Sequence, residues 1–333
     1  MPRNMAQSSV SKLDYTFDAR VAGQYEGQRA HPAAVSDAIG AAIAAVVMPV
    51  PGPSVSILEL GVGTGRMARP LAQHGCDVWG IDLSRDMLEI TRETGTDGLH
   101  LCQADMHRLP FPDARFDAVL AVHVLHLATD VRTVVTEAVR TLRAGGWFLQ
   151  GRDWLDPESV AGKFQQQLRR TVLELRPGMA PPAAGSRPSD ILAELGGVKV
   201  RDVIAAEWTT TASPAAVLAS IAAKTHAESW ILDDDLLPQV VARLTRWAEQ
   251  EWSDLSQASR STVVSTSPCF RATGASRPEP QGQHGCPRAV ACELTNLCAK
   301  IEPAAAGKIG GRQAPGIRYT NNRHVVTGFK SRL

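Results

Sequence analysis

The residues of this chain whose types and spacing could do chemistry are three glycines, three acids and two histidines. Gly61, Gly63 and Gly65 crowd into five positions directly after the apolar run Val55-Ser56-Ile57-Leu58. Glycine is required where a backbone takes unusual torsions or passes close to a ligand. Glu59 stands two residues before the first glycine. Asp82 closes the next apolar run, about 20 residues on, where open α/β folds place an acid against ribose hydroxyls. Asp105 closes a third run, and His123 and His126 follow a fourth. An imidazole titrates near neutrality and is suited to proton transfer.

These residues need elements to hold them. Val55–Leu58 reads as a buried strand, and Thr64 to His74 has helical periodicity, so the order is strand, glycine turn, helix. The helix start would aim free N–H groups and its positive end at whatever the turn approaches. Cys76 to Asp82 reads as a second strand, with Ser84 as N-cap of the next helix. Leu99 to Asp105, Phe116 to Ala121 and Leu142 to Leu149 supply the third, fourth and fifth strands. Strands alternating with helices imply a parallel sheet covered on both faces, with right-handed crossovers.

The spacing is not that of the nicotinamide fingerprint G-x-G-x-x-G, because the third glycine comes one residue early. Glu59 would also repel a pyrophosphate, whereas a cationic amino acid carrying a sulfonium would accept it. Over roughly residues 15–155 the order and spacing of these segments resemble the class I S-adenosylmethionine (SAM) methyltransferases of the small-molecule type. The resemblance implies a doubly wound, mostly parallel sheet, a Rossmann-like fold with helical cover over the substrate site.

It also implies roles. Gly61, Gly63 and Gly65 would let the backbone approach the methionine part and ribose of SAM. Glu59 would hold the turn or meet the amino group, and Asp82 would accept both ribose hydroxyls. Leu83 and Met87 would lie toward the adenine, Met87 being equally readable as core. Asp105 would accept the adenine amino group, with Ala104 and Met106 alongside, and Val122 would reach the cofactor from the fourth strand. Tyr25 and Arg29 resemble residues that close over the cofactor, and read equally well as a packing Tyr and a surface Arg. His126 or His123 could act as a base or sit hydrogen-bonded at the cofactor rim, with Arg152, Asp153 and Trp154 as acceptor-site candidates. A SAM-binding regulator without catalysis and a nicotinamide-linked oxidoreductase are the competing readings.

Other chemistries fit poorly. No Pro-Pro-aromatic motif of base-amino methyltransferases follows the fourth strand, and Pro268-Cys269 lies far from where a cytosine-carbon nucleophile belongs. His284, Cys286, Cys292 and Cys298 match no zinc spacing, so no metal is expected.

The chain has 333 residues and a net charge of +1, which argues against a nucleic-acid-binding surface. Residues 256–333 carry 11 Lys and Arg against 3 Glu, or +8, while residues 1–255 carry 24 basic and 31 acidic residues, or −7. Residues 1–13 read as a disordered start, 14–255 as the catalytic domain with acceptor-site elements at 152–255, and 256–333 as a basic, largely disordered tail. The tail suits either a shifted reading frame or a basic arm for an anionic partner. Its only candidate seventh strand, Thr262 to Phe270, is weakened by Pro268, and the sixth strand, Val198 to Trp208, is expected to lack a partner. Ala289 to Ile301 has one apolar helical face. With no signal-peptide core and reduced cysteines, the expectation is a cytoplasmic protein, monomer or homodimer, acting on a small-molecule acceptor away from membranes.

Overall fold

The computed structural model of the chain describes residues 31–48, 52, 54–95, 97–177, 187–225, 229 and 232–272. The chain divides into two units, 1–277 and 278–333, and every described residue lies in the first. Tyr25, Arg29, the zinc-spacing quartet and the 289–301 segment fall outside the described residues.

Seven strands form one sheet: β1 Ser56–Leu60, β2 Asp77–Asp82, β3 Leu99–Gln103, β4 Phe116–Val122, β5 Leu142–Leu155, β6 Gly197–Ala212 and β7 Ser259–Ala272. The order is β3-β2-β1-β4-β5-β7-β6. The first five strands run parallel, and β7 runs antiparallel between β5 and β6. The direction of winding reverses between β1 and β4, and such a switch point opens a crevice at the carboxyl ends of the strands. All five β1 residues are buried, as expected for a strand covered on both faces.

Alternate residues of the strands feed two cores. Ile57, Val78, Leu120, Leu149 and Cys269 pack under α1 (Ala33–Val47) and α2 (Ala68–Gln73). Leu58, Ile81, Val119, Phe148 and Phe270 pack under α4 (Val131–Thr141) and α6 (Pro188–Glu194). Between these helices in sequence, α3 (Arg85–Glu93) starts at Ser84, whose hydroxyl accepts from the Met87 N–H at 3.3 Å. The expected N-cap is therefore present.

A third core belongs to α5 (Val160–Leu175), α7 (Pro214–Ala222) and α8 (Leu236–Glu251). Phe164 stacks on Trp252 at 5.4 Å, and Trp247 meets both rings edge-on at 5.1 and 5.2 Å. These helices come from the segments expected to cover the substrate mouth.

The seventh strand corrects the sequence reading. Residues 259–272 are part of the sheet, so the body of the protein reaches past residue 255, and β6 has its antiparallel partner. Pro268 does not stop the strand. The β5–β7 register runs Trp147–Leu149 with Cys269–Arg271 and Arg152–Leu155 with Val263–Thr266, and is interrupted between them, opposite Ser267 and Pro268. A proline has no N–H to donate; on the β5 side the interruption leaves no ladder bond to lose, while Pro268 keeps its register with Asp202 of β6.

Candidate functional site

The turn after β1 is built by residues that sequence alone ties together and by two that it does not. Gly61, Gly63 and Gly65 all have positive φ, at 64°, 56° and 80°. A Cβ on Gly61 would stand 2.4 Å from Val124 Cγ2, so the turn lies directly against the segment that follows β4. A Cβ on Gly63 would meet nothing within 4 Å, so this glycine faces open space. Asp82 braces the turn: its carboxylate accepts from the Gly63 N–H and the Ser84 N–H, each at 2.8 Å. Thr91 of α3 donates its hydroxyl to the Gly63 carbonyl at 2.7 Å. Gly61→Ala should therefore abolish ligand binding at the turn and destabilise the fold by about 1–3 kcal/mol, since both the torsion and the contact are violated. A thermal melt and a binding titration read the two effects separately.

Burial and charge set the state of the acids. Glu59 is 3% exposed. Burial dominates and pushes its pKa up to about 8, with the Arg66 charge opposing and the Asp82 charge adding. Its Oε2 is buried and has no hydrogen-bond partner among the described residues. The same holds for only two other side-chain atoms among the described residues, Thr64 Oγ1 and His31 Nδ1. Thr64 lies in the glycine turn, and His31 contacts Arg66 of that turn at 3.0 Å. Buried polar atoms are rarely left unpaired, so orphans gathered at one turn mark a place shaped for a polar ligand. Burial also raises the Asp82 pKa, against the backbone N–H groups of Ser84, Gly63 and Leu83 that lower it.

The remaining expected positions line the same edge of the sheet. Leu83 follows Asp82 and is 70% exposed, an apolar side chain left uncovered at the end of β2. Met87 is 2% exposed and packs in the core in the first turn of α3. Asp105 follows β3 and accepts from the His107 N–H at 2.9 Å, with His107 Nδ1 at 2.7 Å. That contact outweighs burial and holds its pKa below the ordinary value. Ala104 and Met106 are half-buried beside it, and Val122 is half-buried at the end of β4.

The two histidines after β4 part company. His126 is exposed on the single 3-10 turn Leu125–Leu127. His123 has a φ of 51°, uncommon for a non-glycine residue, and its Nε2 lies 3.1 Å from Asp153 Oδ2. Asp153 stands on β5 with His31 Nε2 3.4 Å away. Burial alone would raise the Asp153 pKa, but the two imidazoles and the Arg66 charge reverse this and hold it far below the carboxylate range. Trp208 of β6 meets His31 edge-on at 5.0 Å. His31, Arg66, Thr91 and Trp208 carry no local signal, because their partners lie far away in the chain. Arg152 and Trp154 are exposed, on either side of Asp153 along β5.

Residues 58–150 match the family described as methyltransferase domain. This segment is a class I SAM-dependent methyltransferase domain. The chain is 41% identical over 95 residues to the phosphatidylethanolamine N-methyltransferase of Cereibacter sphaeroides, covering 27% of this chain and 46% of that one. It is 41% identical over 96 residues to the fatty-acid O-methyltransferase of Mycolicibacterium smegmatis, covering 28% of this chain and 35% of the relative. The matches span about half or less of these curated relatives. Among solved structures, the YcgJ protein of Bacillus subtilis aligns with a TM-score of 0.45 at 18% identity, covering 71% of this chain and 98% of its own.

The methyltransferase domain fits its cofactor on observations of its own. SAM carries an ammonium, two ribose hydroxyls and an adenine. The orphaned Glu59 Oε2 is a buried acceptor without a donor among the described residues, Asp82 spends two of about four acceptor positions on the Gly63 and Ser84 N–H groups and keeps others, and Leu83 offers an uncovered apolar surface. Among the described residues there is no group of His, Cys, Asp and Glu able to hold a metal ion. None of the described helices is long and apolar enough to cross a membrane.

Proposed function

We propose that the whole protein transfers the SAM methyl group to a nucleophilic atom of a small-molecule acceptor. The observation that carries this reading is the buried, partnerless Glu59 oxygen beside the positive-φ glycines. A carboxylate there favours a cationic amino acid and disfavours the pyrophosphate of a nicotinamide cofactor. Bound SAM supplies an electrophilic methyl on a sulfonium, taken by in-line displacement. The protein's own contribution is to bind, orient and exclude water.

Glu59 would take the ammonium, and the open face of Gly63 would admit the ligand to the backbone. Asp82 would hold the ribose, with Leu83 and the Ala104–Met106 segment flanking the adenine, and Asp105 accepting from its amino group. Tyr25 and Arg29 remain candidates for closing over the cofactor. Helices α5, α7 and α8 would cover the acceptor mouth, with Arg152 and Trp154 at its wall. The named activities of the two relatives concern a lipid amine and a fatty-acid oxygen, which supports a small acceptor and leaves its nucleophile to be found. A cytoplasmic setting and a monomer or homodimer complete the reading.

The test is a binding titration with S-adenosylhomocysteine (SAH), followed by Asp82→Ala. Losing the ribose contacts should weaken binding by about 2–3 kcal/mol, roughly 30- to 150-fold. Unchanged affinity in a folded variant removes Asp82 from the site. Binding of NAD in place of SAH would overturn the reading altogether.

A further inference from the structure

We propose that His123, held by Asp153, is the base that deprotonates the acceptor, and that the acceptor is a weak acid such as a phenolic or enolic hydroxyl. This rests on the methyl-transfer reading above and deepens it.

The argument is one of place and of proton bookkeeping. The glycine turn ends β1 and the His123 segment ends β4, the two strands that border the switch-point crevice. Gly61 and Val124 are in direct contact distance of each other, so His123 adjoins the turn that would carry the cofactor. A histidine in a left-handed conformation is a strained choice at such a position, and strain of this kind gathers at functional sites.

The groups facing His123 fix which nitrogen carries the proton. They are Asp153 on β5, with His31 beside that carboxylate and Arg66 beside His31. Arg66 Nη1 lies 3.0 Å from His31 Nε2, and a guanidinium only donates. That nitrogen of His31 is shared between the guanidinium and Asp153, from which it stands 3.4 Å. His123 is the nearer imidazole to the carboxylate, and its Nε2–H reaches Oδ2 at 3.1 Å. The carboxylate is a stronger acceptor than the imidazole is for the Asp153 N–H, at 3.3 Å from the same Nε2. With Nε2 committed, the lone pair stays on Nδ1, which makes no hydrogen bond among the described residues. Asp153 is a positioning residue: it fixes the tautomer and stabilises the imidazolium.

The step balances without a further reactant. The acceptor O–H bond breaks and its proton goes to Nδ1. The oxygen's electron pair forms the bond to the transferred methyl, and the departing sulfur keeps the pair of the broken C–S bond. An amine that is already unprotonated needs no base for attack, and an ionised carboxylate has no proton to remove. An imidazole whose Nε2 is held by a carboxylate, with its lone pair on Nδ1, is matched to a hydroxyl whose ionisation lies within a few pH units of its own.

The experiment uses the full chain with imidazoles labelled in nitrogen-15 and SAH at saturation. His123 signals are assigned by their loss in His123→Asn, chosen because asparagine tolerates a left-handed backbone. The expected result is a neutral tautomer protonated at Nε2. In Asp153→Asn the proton should no longer be confined to Nε2, and the two neutral tautomers should mix. A proton on Nδ1 in the wild type, or a tautomer indifferent to Asp153→Asn, overturns the assignment. Failure of SAH to bind the wild type overturns the methyl-transfer reading instead, and calorimetry reports that separately. The acceptor class is tested with radiolabelled SAM and three probes: 1,4-naphthohydroquinone, octanoate and octylamine. Label should enter the hydroquinone, and His123→Asn should slow it about 10²-fold near neutral pH while SAH affinity is kept. The loss should shrink as pH approaches the hydroxyl's own ionisation. Label in the amine or the fatty acid alone, or in none of the three, overturns the acceptor class.

Discussion

A chain ended after Leu255 should fail to fold, although every expected cofactor residue lies before that point. The cut removes β7, which is hydrogen-bonded to β5 on one side and β6 on the other. Cys269 and Phe270 leave the two cores under the sheet, and the buried Val263 goes with them. Both freed strands would expose long unpaired edges, a template for aggregation. The milder form of the same experiment is Phe270→Ala in the full chain. Phe270 is 3% exposed, and truncating a buried phenylalanine costs about 3–5 kcal/mol. For a body of this size that lowers the melting temperature by roughly 6–20 °C. Amide exchange supplies the direct check: the 259–272 backbone should exchange as slowly as that of β5. Fast exchange there, with a soluble, SAH-binding 1–255 fragment, would return β7 to the tail.

Why the sequence hides this strand is instructive. The period-two burial is present, since Val263, Ser265, Ser267 and Cys269 are buried and Val264, Thr266 and Pro268 between them only half-buried, before Phe270 is buried on the other face. Two of those inward positions are serines, so the apolar alternation that marks a strand is halved. Pro268 and the basic, aspartate-free composition then point to a tail. The composition is averaged over residues 256–333 and cannot resolve a 14-residue element at one end of that stretch. By contrast β1 to β4, the glycine turn and Asp82 were legible because each is a local pattern: an apolar run, a turn residue, an acid at the strand end. The His31–Asp153 contact joins residues 122 apart, and no local pattern encodes such a pairing. Met87 shows the same limit in another form. Helical spacing put it near the ligand or in the core, and only packing decides between the two.

Replacing Glu59 by Gln should have two effects of opposite sign, and the pair separates a ligand-binding role from a structural one. Glu59 has its pKa raised from 4.5 to about 8 in the folded chain, burial being the main cause. For a group whose folded pKa is raised, its contribution to stability is fully present below the unfolded value. It is lost as pH rises from about 4.5 through about 8. At neutral pH the ligand-free fold is therefore less stable than it would be with a neutral side chain. The penalty is on the order of 3 kcal/mol at pH 7, from 1.36 kcal/mol per pH unit. Glu59→Gln removes the titration while keeping the size. Its melting temperature should match the wild type near pH 5 and exceed it by several degrees at pH 8, since about 1 kcal/mol moves a domain of this size by 2–4 °C. SAM binding should move the other way. An ammonium meeting the buried oxygen requires the carboxylate, so binding to the wild type should release a proton and tighten as pH rises from about 6.5 toward 8. Calorimetry in buffers of different ionisation enthalpy counts that proton. Glu59→Gln should release none and should bind about 10- to 100-fold more weakly, the range for a hydrogen bond to a charged group. A variant that is less stable at pH 8 yet binds SAM unchanged would make Glu59 a brace of the turn, and the ammonium would have to be met by another residue.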